Sequence, residues 1–278
     1  MKGDPLSNQE VHDLPEYDNP PVTEVVCGIL FQPLDQFLLP YVGLLWNEFR
    51  EDYPICKEVT PLFPIIENPG GTQPSEQQIN ASMTQPRIWF IQKDQTGLIQ
   101  IQRDRFLYNW RKTKITDEYP RYANVSAKFR YYLQIFNHFL NEHDVQSVVP
   151  LQYEMTYVNQ VRRNEGWATF EDIGKVFPDF AYRSDVPRFI SSVEDFNWRT
   201  SFHLPDGNGR LHVIIRNASS QVNNLDELVL ELTVRGMEHD DSTESMNAWF
   251  DMAHKVIVRS FADLTSDEIQ RTIWRRRN

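Results

Sequence analysis

The chain switches between two hydrophobic periods, and the switches lay out its elements. Val22 to Phe31 (VTEVVCGILF) is rich in β-branched residues and apolar on both faces after Glu24, as a central strand would be. Asp35 to Tyr53 follows with Phe37, Leu38, Tyr41, Leu44, Leu45 and Phe49 at helical spacing, and Pro40 early enough to sit in a first turn. Thr60 to Glu67 is a short candidate strand, and Asn68 to Gln85 a polar loop rich in turn residues. Arg87 to Lys93 and Leu98 to Arg111 predict two strands joined by the turn Asp94-Gln95-Thr96-Gly97. Tyr122 to Glu142 then carries Val125, Phe129, Tyr132, Leu133, Phe136, Phe139 and Leu140 on one face of an amphipathic helix.

The second half reuses this order. Val148 to Val161 predicts a strand and Trp167 to Phe177 a short helix. Three strands follow, Phe189 to Leu204, Arg210 to Asn217 and Glu227 to Gly236, the first two joined by Asp206-Gly207-Asn208-Gly209. A long helix is expected from Asp241-Ser242, where Asp241 and Glu244 have capping-box spacing, and a short one from Thr265 with Glu268. The expected fold is therefore α+β, with two similar β-α-β-β-β-α modules over residues 20–145 and 146–278. They would be built on antiparallel sheet with long amphipathic helices packed on it. Residues 1–19 read as a flexible acidic lead, ended by Pro20-Pro21, because each proline forces its predecessor into extended geometry.

Composition narrows the class. With 278 residues, 40% hydrophobic and 13% aromatic, the chain can fill a core and is not a disordered polyelectrolyte. No stretch approaches the roughly 18 apolar residues of a membrane span, so no membrane partner is expected. The polar, acidic N-terminus is unlike a signal peptide, and two cysteines, Cys27 and Cys56, fit a reducing cytoplasm better than a secreted disulfide framework.

The net charge of −11 is unevenly spread. Residues 1–60 carry 3 basic and 11 acidic side chains, and residues 141–241 carry 9 and 17, whereas residues 61–140 carry 10 and 6. The total argues against indiscriminate nucleic-acid coating, while the positive stretch leaves room for a specific anionic ligand.

Searches for chemistry return little. Phosphate-binding glycine loops and the G-x-S-x-G nucleophile elbow are absent. The seven histidines have no metal-ligand spacing, His138 and His143 being five apart on a helix; His203 and His212 flank a hairpin turn without a placed carboxylate. No metal or cofactor is expected. Glu154 is a lone carboxylate on a strand face with Thr156 and Val158, opposite Tyr153, Met155, Tyr157 and Asn159. It is the one candidate general base, and a solvated structural role competes with it.

The most informative segment runs from Arg103 to Arg130, with eight basic and three acidic residues among Phe106, Tyr108, Trp110, Tyr119 and Tyr122. A regular strand would point Arg103, Arg105, Asn109 and Arg111 one way and Phe106, Tyr108 and Trp110 the other. The first set would grip a carboxylate or phosphate bidentately. The competing expectation is that the arginines pair with some of the chain's 39 carboxylates.

These runs also carry a resemblance. Asn19-Pro20-Pro21-Val22-Thr23-Glu24-Val25-Val26, Arg87-Ile88-Trp89-Phe90, Gln100-Ile101-Gln102-Arg103-Asp104-Arg105-Phe106, Tyr108-Asn109-Trp110-Arg111, Tyr119-Pro120-Arg121-Tyr122, Tyr157-Val158-Asn159 and Ala253-His254-Lys255-Val256-Ile257 with Ser260-Phe261 and Leu264-Thr265 are its residues. Together they make the chain similar to a sporadically distributed family of uncharacterised, mostly bacterial proteins of about this length. The resemblance implies one intact protein encoded among accessory or defence-associated genes, and it brings no activity or catalytic residues.

The resulting expectation is a non-enzymatic interaction or ligand-binding protein that recognises an anionic protein surface or ligand through Arg103, Arg105, Asn109 and Arg111. The alternative is nucleic-acid or nucleotide binding through the same strand. A third expectation, an unrecognised hydrolase or nuclease using Glu154, ranks last.

Overall fold

The computed structural model describes residues 14–67, 85–180, 189–204, 207, 209–219, 226–237 and 242–278. Among them run nine strands: β1 (Val22–Phe31), β2 (Ile55–Val59), β3 (Arg87–Ile91), β4 (Gly97–Gln102), β5 (Arg105–Arg111), β6 (Pro150–Arg162), β7 (Asn197–His203), β8 (Gly209–Ser219) and β9 (Asp226–Gly236). They form one sheet in the order β2-β3-β4-β5-β1-β6-β9-β8-β7, antiparallel at every junction. The helices are α1 (Leu39–Phe49), α2 (Arg121–Glu142), α3 (Ile173–Val176), α4 (Thr243–Leu264) and α5 (Asp267–Thr272). The protein is thus α+β, with helices packed on a large antiparallel sheet.

One face of the sheet is the core. Val25, Cys27 and Ile29 of β1 lie opposite Trp110, Tyr108 and Phe106 of β5 on one side, and Tyr157, Met155 and Tyr153 of β6 on the other. All nine are buried. Helices α2 and α4 cover them, and aromatic rings make the joints: Phe106–Phe136 at 5.2 Å, Tyr108–Tyr132 at 5.4 Å and Tyr153–Trp249 at 5.5 Å. Phe129 meets Phe250 at 5.0 Å and joins the two helices. Edge and offset contacts of this kind add about 0.5–1.5 kcal/mol per pair beyond burial, so they fix helix position as well as stability.

The opposite face is crossed by a strap, residues 60–67. This segment is not a strand, contrary to the sequence expectation. Pro61 and Pro64 remove two backbone donors, and the Leu62 and Glu67 N–H groups and the Leu62 and Ile65 carbonyls are met by side chains rather than by a neighbouring strand. Gln102 both accepts from the Leu62 N–H (2.9 Å) and donates to its carbonyl (3.1 Å), and Gln152 does the same for the Glu67 N–H (2.6 Å) and the Ile65 carbonyl (2.8 Å). Glu67 then ends on Arg210 (2.9 Å) and His212 (2.6 Å). The strap therefore ties β4, β6 and β8 together.

Two further expectations change. Leu98 to Arg111 is a hairpin, not one strand, because Arg103 and Asp104 turn the chain so that Gln102 faces Arg105. The loop after β1 holds that turn, since the Phe31 and Leu34 N–H groups donate to the Asp104 and Arg103 carbonyls, each at 2.9 Å. The first half consequently has four strands between its two long helices rather than three. Phe189 to Leu204 contributes only β7, and Trp167 to Phe177 forms a short 3-10 turn (Phe170–Asp172) followed by α3.

The caps of both C-terminal helices sit one residue later than the spacing predicts. Ser242 Oγ accepts from the Ser245 N–H (3.2 Å) and Ser266 Oγ from the Ile269 N–H (3.3 Å). Thr265, the expected cap, instead donates back to the Phe261 carbonyl at 2.6 Å. Asp241 lies outside the described residues.

Of the expected acidic lead, residues 1–13 also lie outside the described part, and Leu14 to Asn19 are tied down. Tyr17 is buried and bridges Arg276, while the Asp18 and Asn19 N–H groups donate to the Arg275 and Trp274 carbonyls at 3.2 and 3.1 Å. The two ends of the described chain meet.

Candidate functional site

The basic strand divides into two environments. Arg105, Asn109 and Arg111 do lie on the face of β5 opposite Phe106, Tyr108 and Trp110, whereas Arg103 sits in the hairpin turn. Arg105 is 5% exposed, grips Asp104 through Nε and Nη2 (3.0 Å each), and donates through Nη2 to the Leu62 carbonyl (3.1 Å). It is an internal pair that anchors the strap.

Asn109, 3% exposed, belongs to a hydrogen-bonded chain across four strands. Arg87 Nη1 and Trp89 Nε1 both donate to Gln100 Oε1 (2.8 and 3.0 Å), Gln100 Nε2 donates to Asn109 Oδ1 (2.7 Å), and Asn109 Nδ2 donates to Glu24 Oε1 (2.6 Å). The chain runs from a cation to a carboxyl, with every amide oriented. Burial nevertheless raises the Glu24 pKa, helped by Glu231 and opposed by the Asn109 hydrogen bond and Arg111. Arg111 is half-buried; its guanidinium and that of Arg87 both lie over the Trp89 ring, at 5.7 and 5.4 Å. Arg105 and Arg111 are six residues apart on one strand, about 20 Å. The four sequence candidates do not converge on one ligand-sized point.

The other candidates are accounted for. Glu154 pairs with Arg235 (2.5 Å), and His212 is engaged by Glu67 while His203 lies opposite Arg210. Among the described residues no group of three or more His, Cys, Asp or Glu could hold a metal ion, and no helix is long and apolar enough to cross a membrane.

A different place in the fold has the form of a binding site. Where Leu14–Val22 passes between the start of α2, the middle of β6 and the C-terminal half of α4, it leaves a cavity of about 410 Å³. Its walls are largely apolar, with Val22, Ile257, Val258 and Phe261 among them, and its polar groups converge from five segments.

His254 of α4 is placed by two contacts, each held in turn by a further hydrogen bond. Its Nδ1 lies 3.0 Å from the Tyr157 hydroxyl, which is 2.9 Å from the Tyr119 hydroxyl. The Tyr122 ring stacks on the imidazole at 4.1 Å and 8°, and the Tyr122 hydroxyl donates to Asp251 Oδ1 (2.7 Å). Among the described residues Nε2 makes no hydrogen bond.

Comparison with protein-family models, with curated proteins and with solved structures finds no match for this chain. The chemistry of the cavity must therefore be read from its own residues.

Burial dominates its electrostatics. It lowers the His254 pKa to about 4, with Asp251 opposing and Lys255 reinforcing the shift, so the imidazole is neutral at pH 7. Burial also raises the Tyr17 hydroxyl to about 12 and carries Tyr119, Tyr122 and Tyr157 upward from the ordinary phenol value. These groups hold protons and donate or accept hydrogen bonds without carrying charge.

Arg121 opens α2 with φ +70, a left-handed conformation that a side-chain-bearing residue rarely adopts. Its Nη1 donates to the Tyr17 carbonyl (3.0 Å), and its guanidinium lies 5.9 Å from the Tyr119 ring centre. Arg277 at the rim is held by Asp18 (2.5 Å) and Glu16 (3.5 Å).

Sequence reasoning passed over these residues as a site because no local spacing joins them. One signal was present. Runs singled out for their resemblance, Tyr119-Pro120-Arg121-Tyr122, Tyr157-Val158-Asn159 and Ala253 to Ile257, each contribute lining residues.

Proposed function

We propose that this protein is a non-enzymatic ligand-binding protein whose small-molecule ligand occupies the cavity between Leu14–Val22, α2, β6 and α4. The observation that carries the reading is the cavity itself: about 410 Å³, mainly apolar walls, and a Tyr119–Tyr157–His254 hydrogen-bond chain ending in it. Ligand pockets commonly have this composition and a volume of roughly 300–1,000 Å³. Binding is favoured over turnover because a general acid or base works best with a pKa near the operating pH. His254 lies well below that and the phenols well above it.

Ligand-observed NMR with a fragment library tests the reading, comparing the wild-type protein with Val258→Phe, which fills the cavity from α4. Fragments that bind the wild type and lose binding in Val258→Phe support it. Binding indifferent to the filled cavity, or no binding at all, sinks it.

The expected architecture supplies a setting for the cavity. In this reading the halves 20–145 and 146–278 are two related modules joined where β1 pairs with β6, and the strand order β2-β3-β4-β5-β1 followed by β6-β9-β8-β7 supports it. The two free cysteines favour a cytoplasmic location.

A second reading keeps an anionic partner, an acidic protein surface or nucleic acid, on the face opposite the helices. Two guanidinium groups over the half-buried Trp89 ring favour it. It predicts binding to single-stranded DNA or to an acidic protein that weakens steeply with salt and is lost in Arg87→Gln/Arg111→Gln. No retention on either at low salt removes it.

A further inference from the structure

We infer that the ligand of the cavity is a small anion with an apolar body, its charged head held by Arg121. This inference rests on the ligand-binding reading above and adds the chemical class.

A census of charge in the cavity leads to it. The titratable groups lining it are Glu16, Arg277, Arg121, His254 and four tyrosines, Tyr17, Tyr119, Tyr122 and Tyr157. The tyrosines and His254 are neutral at pH 7, each shifted mainly by burial in the direction that removes charge. Glu16 and Arg277 pair with each other across 3.5 Å, and Asp18 holds Arg277 from the other side. Arg121 alone is left over. Among the described residues it makes no ion pair, and its one hydrogen bond goes to the Tyr17 carbonyl.

A guanidinium has five donors, so this contact leaves a planar fork free for a carboxylate or similar head. Arg121 is an exposed residue at the cavity wall, its backbone at φ +70 and its guanidinium 5.9 Å from the Tyr119 ring centre. The start of α2 adds to the same field, since its first turn has no acidic residue and no side-chain cap, and Ala123 of that turn lines the cavity. The remaining volume is bounded by Val22, Ile257, Val258 and Phe261, which suit a ring or short alkyl chain. The Tyr119–Tyr157–His254 chain offers neutral donors, which complement an anion without adding a charge that would repel it.

The test uses pairs of probes that share a shape and differ in charge: benzoate with benzamide, 2-naphthoate with 2-naphthamide, and octanoate with octanamide. Affinities are measured by calorimetry or NMR titration at pH 7 on the full chain. The expected result is that at least one acid binds roughly 10- to 100-fold more tightly than its amide, the span of a charged over a neutral hydrogen bond. That ratio collapses toward unity in Arg121→Gln and stays intact in Arg259→Gln, an exposed arginine of α4 that does not line the cavity. Arg121→Lys keeps the charge but loses the fork and retains a reduced preference, which separates recognition from any folding defect of Arg121→Gln.

Acids and amides that bind equally, with binding still blocked by Val258→Phe, overturn the anionic class and leave the cavity reading standing. A preference that survives Arg121→Gln also overturns the inference. No binding of any probe overturns both.

Discussion

Arg105→Gln is expected to unfold the protein more readily than any other single arginine change on the basic strand. The substitution removes two charge-assisted hydrogen bonds to Asp104, both 3.0 Å, and a third to the Leu62 carbonyl at 3.1 Å. More important is what remains. Asp104 is 2% exposed, so its carboxylate would stay buried without its cation. Breaking a buried pair from one side costs about 3–5 kcal/mol, chiefly because of the stranded charge. A typical domain is stable by only about 5–15 kcal/mol, so the variant sits near the edge of folding at ambient temperature.

Urea unfolding followed by tryptophan fluorescence measures the loss as a fall in midpoint at unchanged slope. The double variant Asp104→Leu/Arg105→Leu should recover more than half of it, because neither charge is then left alone. Arg111→Gln, whose guanidinium has one 3.3 Å bond to the Gln95 carbonyl and the Trp89 ring, should cost under about 1 kcal/mol. A loss below about 1 kcal/mol for Arg105→Gln, or a double variant no better than the single, would refute the reasoning. The outcome matters for function as well. A variant that neutralises all the strand's arginines would lose partner capture through unfolding, so only Arg87 and Arg111 can report on binding at this face.

Three further outcomes follow from the fold. His254 should titrate near pH 4 by NMR, and its neutral burial makes stability fall as pH drops from about 6.5 to 4, where the unfolded chain binds the proton and the native state does not. The contribution is at most about 3 kcal/mol and should vanish from the pH profile of His254→Gln; an imidazole titrating near 6.5 contradicts it. Ser242→Ala and Ser266→Ala should each cost about 1 kcal/mol in urea unfolding, and equal stability to wild type would place the caps elsewhere. Gly209→Ala should cost about 3 kcal/mol or more, since φ is +150 and the added Cβ would meet the Arg235 carbonyl oxygen at 2.0 Å; a wild-type melting temperature would be incompatible with this packing.

What the sequence made legible was what is periodic and local. The two long helices are read from Val125 to Leu140 and Met246 to Phe261 because an apolar stripe repeats over several turns. The alternation of Phe106, Tyr108 and Trp110 against Arg105, Asn109 and Arg111 likewise survives into the sheet. Local ambiguity produced the errors. Thr265-Ser266 offers two adjacent cap residues, and only the helix's actual entry angle selects the serine. Leu98 to Arg111 is uniformly suited to a strand, and the bend at Arg103-Asp104 is fixed by carbonyl contacts with the loop after β1, some seventy residues earlier. Charge patterning had the same limit: it located the basic strand but not Asp104 as the partner that buries Arg105.

The cavity shows why the site was harder to read than the fold. Its lining is drawn from residues 14–22, 119–123, 157–159, 254–261 and Arg277, five segments spread over most of the chain. They meet because β1 sits between β5 and β6, which carries Tyr157 under the start of α2, and because Leu14–Asn19 runs back along the C-terminal tail. The chemistry depends on that convergence. His254 is an ordinary helical histidine in sequence; its low pKa comes from desolvation beneath Tyr122 and Tyr157, neither of them on its own helix. Arg121 is one of eight basic residues between Arg103 and Arg130, and the one of them that lines the cavity; among the described residues it makes no ion pair. Other described arginines, Arg87 and Arg111 among them, also make no ion pair among the described residues, so the absence of an acid is not what singles out Arg121. What does is its place on the wall of a largely apolar cavity whose other ionisable groups are neutral or paired, and that is where a ligand's charge would be held.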